Sequence, residues 1–142
     1  EPPLIVPLGE LYPDQATAEG TQSLIQKLID AYQKNLPLDR RHLVEQFSYV
    51  DAARKVVGVG SVGTQAWVIV LAGWDENDPI VLQLKEAQPS VLERFLGTSE
   101  LENHGKRVVE GQRLMQASSD VMLGWVQGAG PDGIERDFYI RQ

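Results

Sequence analysis

The chain has 142 residues and no cysteine, and its 20 acidic against 13 basic side chains give a net charge of −7. That length, with 42% hydrophobic residues, suffices for one domain with its own core, while the lack of cysteine excludes disulfides, thiol redox chemistry and Cys-based zinc sites and fits a reducing, cytoplasmic setting. The acidic balance argues against broad binding to nucleic acid or to an anionic membrane, so any phosphate site must be local, and no run of about 18 apolar residues is present to cross a bilayer.

The opening residues 1–13 carry Pro2, Pro3, Pro7 and Pro13, which deny helix and suggest an extended tether packed through Leu4, Ile5 and Val6. From 16 to 35, Leu24, Ile25, Leu28, Ile29 and Tyr32 recur at helical spacing, and Pro37 ends the pattern. A shorter helix begins at Asp39, read as its cap, and buries Leu43, Val44 and Phe47. The chain then turns β-branched and glycine-rich, predicting strands over 55–60, 66–72 and 80–85. The polar turn 73–79 is too short for a crossover helix, so the last two are expected to be antiparallel. Helix returns over 89–96 and 105–117, and a final hairpin is expected from 120–127 and 136–141, turning through the Gly-rich segment 128–133. The expected fold is α+β, an antiparallel sheet of about five strands with packed helices, in one domain: an arm and helices over 1–50, sheet and helix over 51–142. The chain starts at Glu1 and stops directly after the strand-like Phe138, Tyr139 and Ile140, so it is expected to be a fragment of a longer protein.

Gly58, Gly60 and Gly63, with Val59, Ser61 and Val62 between them, satisfy G-x-G-x-x-G, where bare backbone can approach phosphate oxygens. The dinucleotide-binding version needs a helix after the glycines, but the run from Ala66 to Leu71 reads as strand. A Walker loop lacks its Gly-Lys-Ser/Thr. What remains is a glycine loop inside a hairpin, as over the ATP phosphates of protein kinases, and that arrangement requires a lysine on the next strand. Lys85 meets the requirement. Alternation sends Leu82 and Leu84 to one face and Gln83 and Lys85 to the other. A carboxylate should then hold the ammonium: Glu110, with Gly111 permitting close packing on the sheet, or Glu93 on the shorter helix. Each feature also has a plain reading: a turn, a solvated lysine, an exposed helix face.

The segments KVVGVGSVGT (55–64), LQLKEA (82–87), RVVEGQRL (107–114) and DFYIRQ (137–142) closely resemble the bacterial domain-of-unknown-function family 2252. The resemblance implies a longer parent with a kinase-like fold similar to small-molecule phosphotransferases, this chain corresponding to the N-terminal lobe. It implies ATP or another nucleotide with Mg²⁺, the metal ligands and the catalytic aspartate lying outside this chain, so that no catalytic or metal-binding residue is expected within it. The partners are then the remainder of the parent protein and a nucleotide. In this frame Gly58, Gly60, Ser61, Val62, Gly63 and Lys85 hold phosphate, and Glu110 or Glu93 positions the lysine. Gln65 and Gln83 stand where kinases place small apolar side chains above adenine, which disfavours adenine and keeps open a non-catalytic interaction module. Asp137-Phe138-Tyr139 lies in a strand and is not the kinase metal motif. His42 and His104 do not make a metal site, and Trp67, Trp74 and Trp125 are explained by core packing or a sheet edge.

Overall fold

The computed structural model describes residues 5–55, 63–75 and 77–142. The described residues open with a strand, β1 (Ile5–Pro7), and one helical turn, α1 (Leu8–Leu11), that buries Leu8. The expected tether is thus an edge strand: Ile5, Val6 and Pro7 pair antiparallel with Lys55, Arg54 and Ala53. Proline is tolerated there because an edge leaves its missing N–H without consequence.

Helix α2 (Gln15–Asn35) begins where Asp14 accepts hydrogen bonds from the Thr17 backbone N–H at 2.9 Å and the Thr17 hydroxyl at 2.6 Å. Its buried residues Thr21, Ile25, Leu28, Ile29 and Tyr32 form one stripe. At its end Arg41 donates to the carbonyls of Gln33, Lys34 and Leu36, adding a donor where the helix runs out of backbone N–H groups. Arg41 lies on α3 (Leu38–Val44), whose cap is Pro37. Asp39, read as the cap, sits inside the first turn, where its charge can only complement the helix dipole. Of the three residues expected to bury, Val44 is fully buried and Leu43 is exposed.

The next three strands are β2 (Ser48–Lys55), β3 (Ala66–Ala72) and β4 (Pro79–Ala87). Strand β2 starts well before the predicted 55–60, most of which lies outside the described residues. A register shift between Tyr49 and Asp51 marks a bulge that leaves Val50 exposed. Then come α4 (Glu93–Leu96), α5 (His104–Met115), β5 (Gly124–Ala129) and β6 (Glu135–Arg141). Asp120 to Leu123, expected in the final hairpin, form a turn instead: Asp120 accepts from the backbone of Met122 at 2.8 Å and of Gln142 at 2.6 Å.

Among the described residues six strands form one sheet in the order β1-β2-β3-β4-β6-β5, with every neighbouring pair antiparallel. With the five helices described this is an α+β fold, one strand richer than expected because the arm pairs. One face of the sheet carries Trp67, Ile69, Leu71, Leu82, Leu84, Val126, Phe138 and Ile140 against the α2 stripe. Two glycines set how closely the helix lies. A Cβ at Gly124 would fall 2.5 Å from the Tyr32 ring, and one at Gly128 2.5 Å from Leu28. The Tyr32 hydroxyl donates to the Met122 carbonyl, satisfying both groups inside the core. Burial raises the pKa of that phenol, with Asp120 adding to the shift. Of the tryptophans, Trp67 is core, whereas Trp74, in the β3–β4 turn, is 91% exposed and packs in no core.

Candidate functional site

Helix α5 packs on β5 and β6 and reaches β4. Its start is fixed by Asp137, which accepts from the Asn103 amide at 2.7 Å and the His104 backbone N–H at 2.8 Å, while Asn103 caps Lys106 N–H at 2.8 Å. Asp137 is therefore engaged in holding a helix. Close approach of α5 to the sheet is made at Gly105, where a Cβ would collide with the Phe138 carbonyl oxygen. Gly111, expected to serve this purpose, has open space where its Cβ would be.

Register places the sequence-predicted residues on the sheet. Lys85 lies between Ala66 on β3 and Tyr139 on β6, and Tyr139 in turn faces Trp125 on β5. Gln83 lies between Val68 and Arg141. Leu82 and Leu84 are buried against α2, so Gln83 and Lys85 are on the opposite face. Lys55 follows Arg54, whose partner is Trp67, and so comes beside Ala66. One row of that face thus runs Trp125, Tyr139, Lys85, Ala66, Lys55. Lys106 of α5 stands over its far end, 5.9 Å from the Trp125 ring centroid.

Lys85 is half-buried. Burial first, then the charges of Lys55 and Arg141, push its pKa below that of a free lysine. Neither proposed carboxylate is paired with it. Glu110 takes Arg113 at 3.1 Å, one turn along its own helix, and Arg113 also donates to the Leu123 carbonyl at 3.1 Å. Glu93 accepts from Ser90 N–H at 3.2 Å and lies 3.9 Å from Arg107, which is itself held by the Gln88 carbonyl at 2.7 Å. Both acids are captured by nearby arginines whose guanidinium groups are anchored to backbone. The nearest acid in sequence, Glu86, is also engaged elsewhere.

Glu86 organises the segment that enters β3. Its carboxylate accepts from the Gln65 backbone N–H at 2.8 Å, and its own N–H donates to the Gln65 carbonyl at 2.8 Å. Arg136 lies 3.5 Å from the same carboxylate and makes two 2.7 Å hydrogen bonds to Asp132. Gly130 is pressed into this cluster: a Cβ there would lie 3.0 Å from Arg136 and 3.1 Å from the Gln65 amide nitrogen. Gln65 is thus drawn toward the β5–β6 turn, while Gln83 stands beside Arg141. The two glutamines expected to line one pocket do not converge. Gln65 Oε1 is buried without a hydrogen-bond partner. A cleft of about 270 Å³ opens beside this cluster, lined among others by Glu86, Gln88, His104, Gln127, Arg136 and Asp137.

Gly58, Gly60, Ser61 and Val62 lie outside the described residues. Gly63 is exposed and has φ +88°, a conformation that favours glycine. His42 is exposed beside Glu45 at 3.4 Å, and His104 Nδ1 is buried without a partner. Among the described residues no group of three or more His, Cys, Asp or Glu side chains is placed to hold a metal ion, and no helix is long and apolar enough to cross a membrane. Sequence reasoning passed over Glu86, Arg136 and Asp132, and it did not single out Lys55 or Arg141. Glu86 sits next to Lys85, so strand alternation alone placed it on the other face from the lysine.

No curated protein and no solved structure matches the chain. The model of the family described as an uncharacterized protein conserved in bacteria, DUF2252, matches residues 1–142, and the chain belongs to that family.

Proposed function

We propose that this chain is the phosphate-holding lobe of a kinase-like phosphotransferase. Lys85 binds phosphate oxygens of a nucleotide, and the glycine-rich segment 58–63 closes over them. The base and the metal-binding carboxylates come from outside the chain, so the chain alone does not transfer phosphate. The observation that carries the reading is Lys85 itself, a half-buried ammonium with no carboxylate bonded to it and two further cations nearby. An arrangement that weakens its hold on a proton suits an anionic ligand that supplies the missing charge. The clamp of Glu86 on Gln65 adds support, because it anchors the chain just after the glycines. Glu110 reaches Lys85 in this reading only after releasing Arg113, an exchange that ligand binding would drive.

The test is a titration of the protein with ATP and GTP, with and without Mg²⁺, beside Lys85→Ala. Saturable binding that weakens at least tenfold in the variant is expected, and equal affinity of the two proteins would overturn the role of Lys85. A second reading, a non-catalytic interaction module, is favoured by the apolar surface around α4, where Phe95 and Leu96 are 82% and 80% exposed beside exposed Val91 and Leu92. Absence of any nucleotide binding by either protein would favour it.

A further inference from the structure

We infer that Lys55, Lys85 and Arg141 form a single binding face for a ligand with at least two linked phosphate groups, and that the face recognises those phosphates rather than a base. The inference rests on the phosphate-binding reading of Lys85 and adds two residues and a ligand class to it.

The geometry comes from register. Lys55 and Lys85 flank the small Ala66 on the two strands either side of β3, so their backbones are about 10 Å apart, and the β3 residue between them is an alanine. Arg141 lies on β6 two residues beyond Tyr139, the direct neighbour of Lys85, which is a diagonal spacing of roughly 7–8 Å. The three long cationic side chains can therefore converge on a ligand a few ångströms across. Each of the two outer charges acts on Lys85 in the folded chain.

The acids near this face are committed elsewhere. Asp137 is bonded to Asn103 and His104 and Asp51 accepts from Ala52 N–H at 2.7 Å, while Glu86, on the opposite face, is held with Gln65 and Arg136. In a chain of net charge −7, three clustered cations that are in no ion pair among the described residues are a local exception to the composition. Like charges held together repel, and a compact polyanion offsets all three at once. The row next to Lys85 carries Val68, Gln83 and Arg141. An amide beside a guanidinium offers a purine face little apolar contact, whereas both donate to phosphate oxygens.

The experiment measures binding of orthophosphate, pyrophosphate, tripolyphosphate, adenosine and ATP by calorimetry, with and without Mg²⁺. It uses the protein and its Lys55→Ala, Lys85→Ala, Arg141→Ala, Lys55→Arg and Arg141→Lys variants, each first checked for an unchanged thermal midpoint. The expected result is that pyrophosphate and tripolyphosphate bind within about tenfold of ATP, while adenosine does not bind. Each alanine variant weakens pyrophosphate at least tenfold, and the charge-conserving variants restore most of the loss. Adenosine binding, or ATP preferred over tripolyphosphate by more than a hundredfold, overturns the ligand class. Unchanged affinity in Lys55→Ala and Arg141→Ala, with binding lost in Lys85→Ala, overturns the three-cation face and leaves the phosphate reading of Lys85 standing. No binding of any anion by the unaltered protein overturns both.

Discussion

The two faces of the sheet are built from the same strands and do opposite work. On the α2 face the inward positions are apolar apart from Thr21, whose hydroxyl is bonded to the Thr17 carbonyl; glycine is used where the helix presses closest, and the Tyr32 hydroxyl has its acceptor. On the other face α5 covers β5 and β6, and beyond it lie Tyr139, Lys85, Gln83, Arg141 and Lys55, three of them cations that are in no ion pair among the described residues. A packed face gains stability from each contact. A row that holds cations close together does not gain in this way.

If that contrast holds, substitutions on the α2 face should cost stability, and charge removal on the other should cost binding alone. The largest effect is expected for Tyr32→Ala, which empties the core and strands the Met122 carbonyl, lowering the unfolding free energy by about 3–5 kcal/mol in urea denaturation. Tyr32→Phe, losing only the hydrogen bond, should cost about 1 kcal/mol. Next is Gly105→Ala, where the new methyl meets the Phe138 carbonyl; overpacking of this kind costs about 1–3 kcal/mol. A neutral result by the same denaturation would show that α5 is free to shift off the sheet.

Lys85→Met should move stability little and upward while abolishing anion binding. The sign follows from the lowered pKa of Lys85: the folded chain holds that proton less tightly than the unfolded chain does. Stability therefore rises as pH climbs through the folded pKa toward the unfolded 10.5, and the methionine variant should lose that rise in a thermal-melt series. A lowered midpoint at neutral pH would mean that the lysine is structural. The smallest effect is expected in the β5–β6 turn. Hydrogen bonding to Arg136 lowers the Asp132 pKa from 3.8 to about 2. Its contribution should be complete above pH 3.8 and lost as pH falls through about 2, and Asp132→Asn should remove only that acid limb from the melting curve.

Much of the fold was legible in the chain. Helical spacing of Ile25, Leu28, Ile29 and Tyr32 predicted α2 to within a residue, and the run 66–72 coincides with β3, because periodicity reports directly on which face is buried. Strand β2 was harder to see, since Ser48, Asp51 and Arg54 make it polar and a bulge interrupts its alternation. Strand β1 was hidden by its prolines, which exclude helix but say nothing about whether an extended segment finds an edge to pair with. At the site, alternation correctly separated Lys85 and Gln83 from Leu82 and Leu84. The expectation that Gln65 joins Gln83 failed because Glu86, Arg136 and Gly130 draw it toward a turn more than 60 residues along the chain.

By itself, then, the sequence determined most of the element types, most of the inward residues and the face on which Lys85 stands, all of which follow from local spacing along one strand or helix. Only the tertiary structure decided which charges meet. By order in the chain Glu110 and Glu93 were the partners expected for Lys85, yet Arg113 and Arg107 lie against them, and register places the cations Lys55 and Arg141 near Lys85 instead. Ion pairing depends on distance across elements, and strand register, a property of pairs of strands rather than of one, sets that distance.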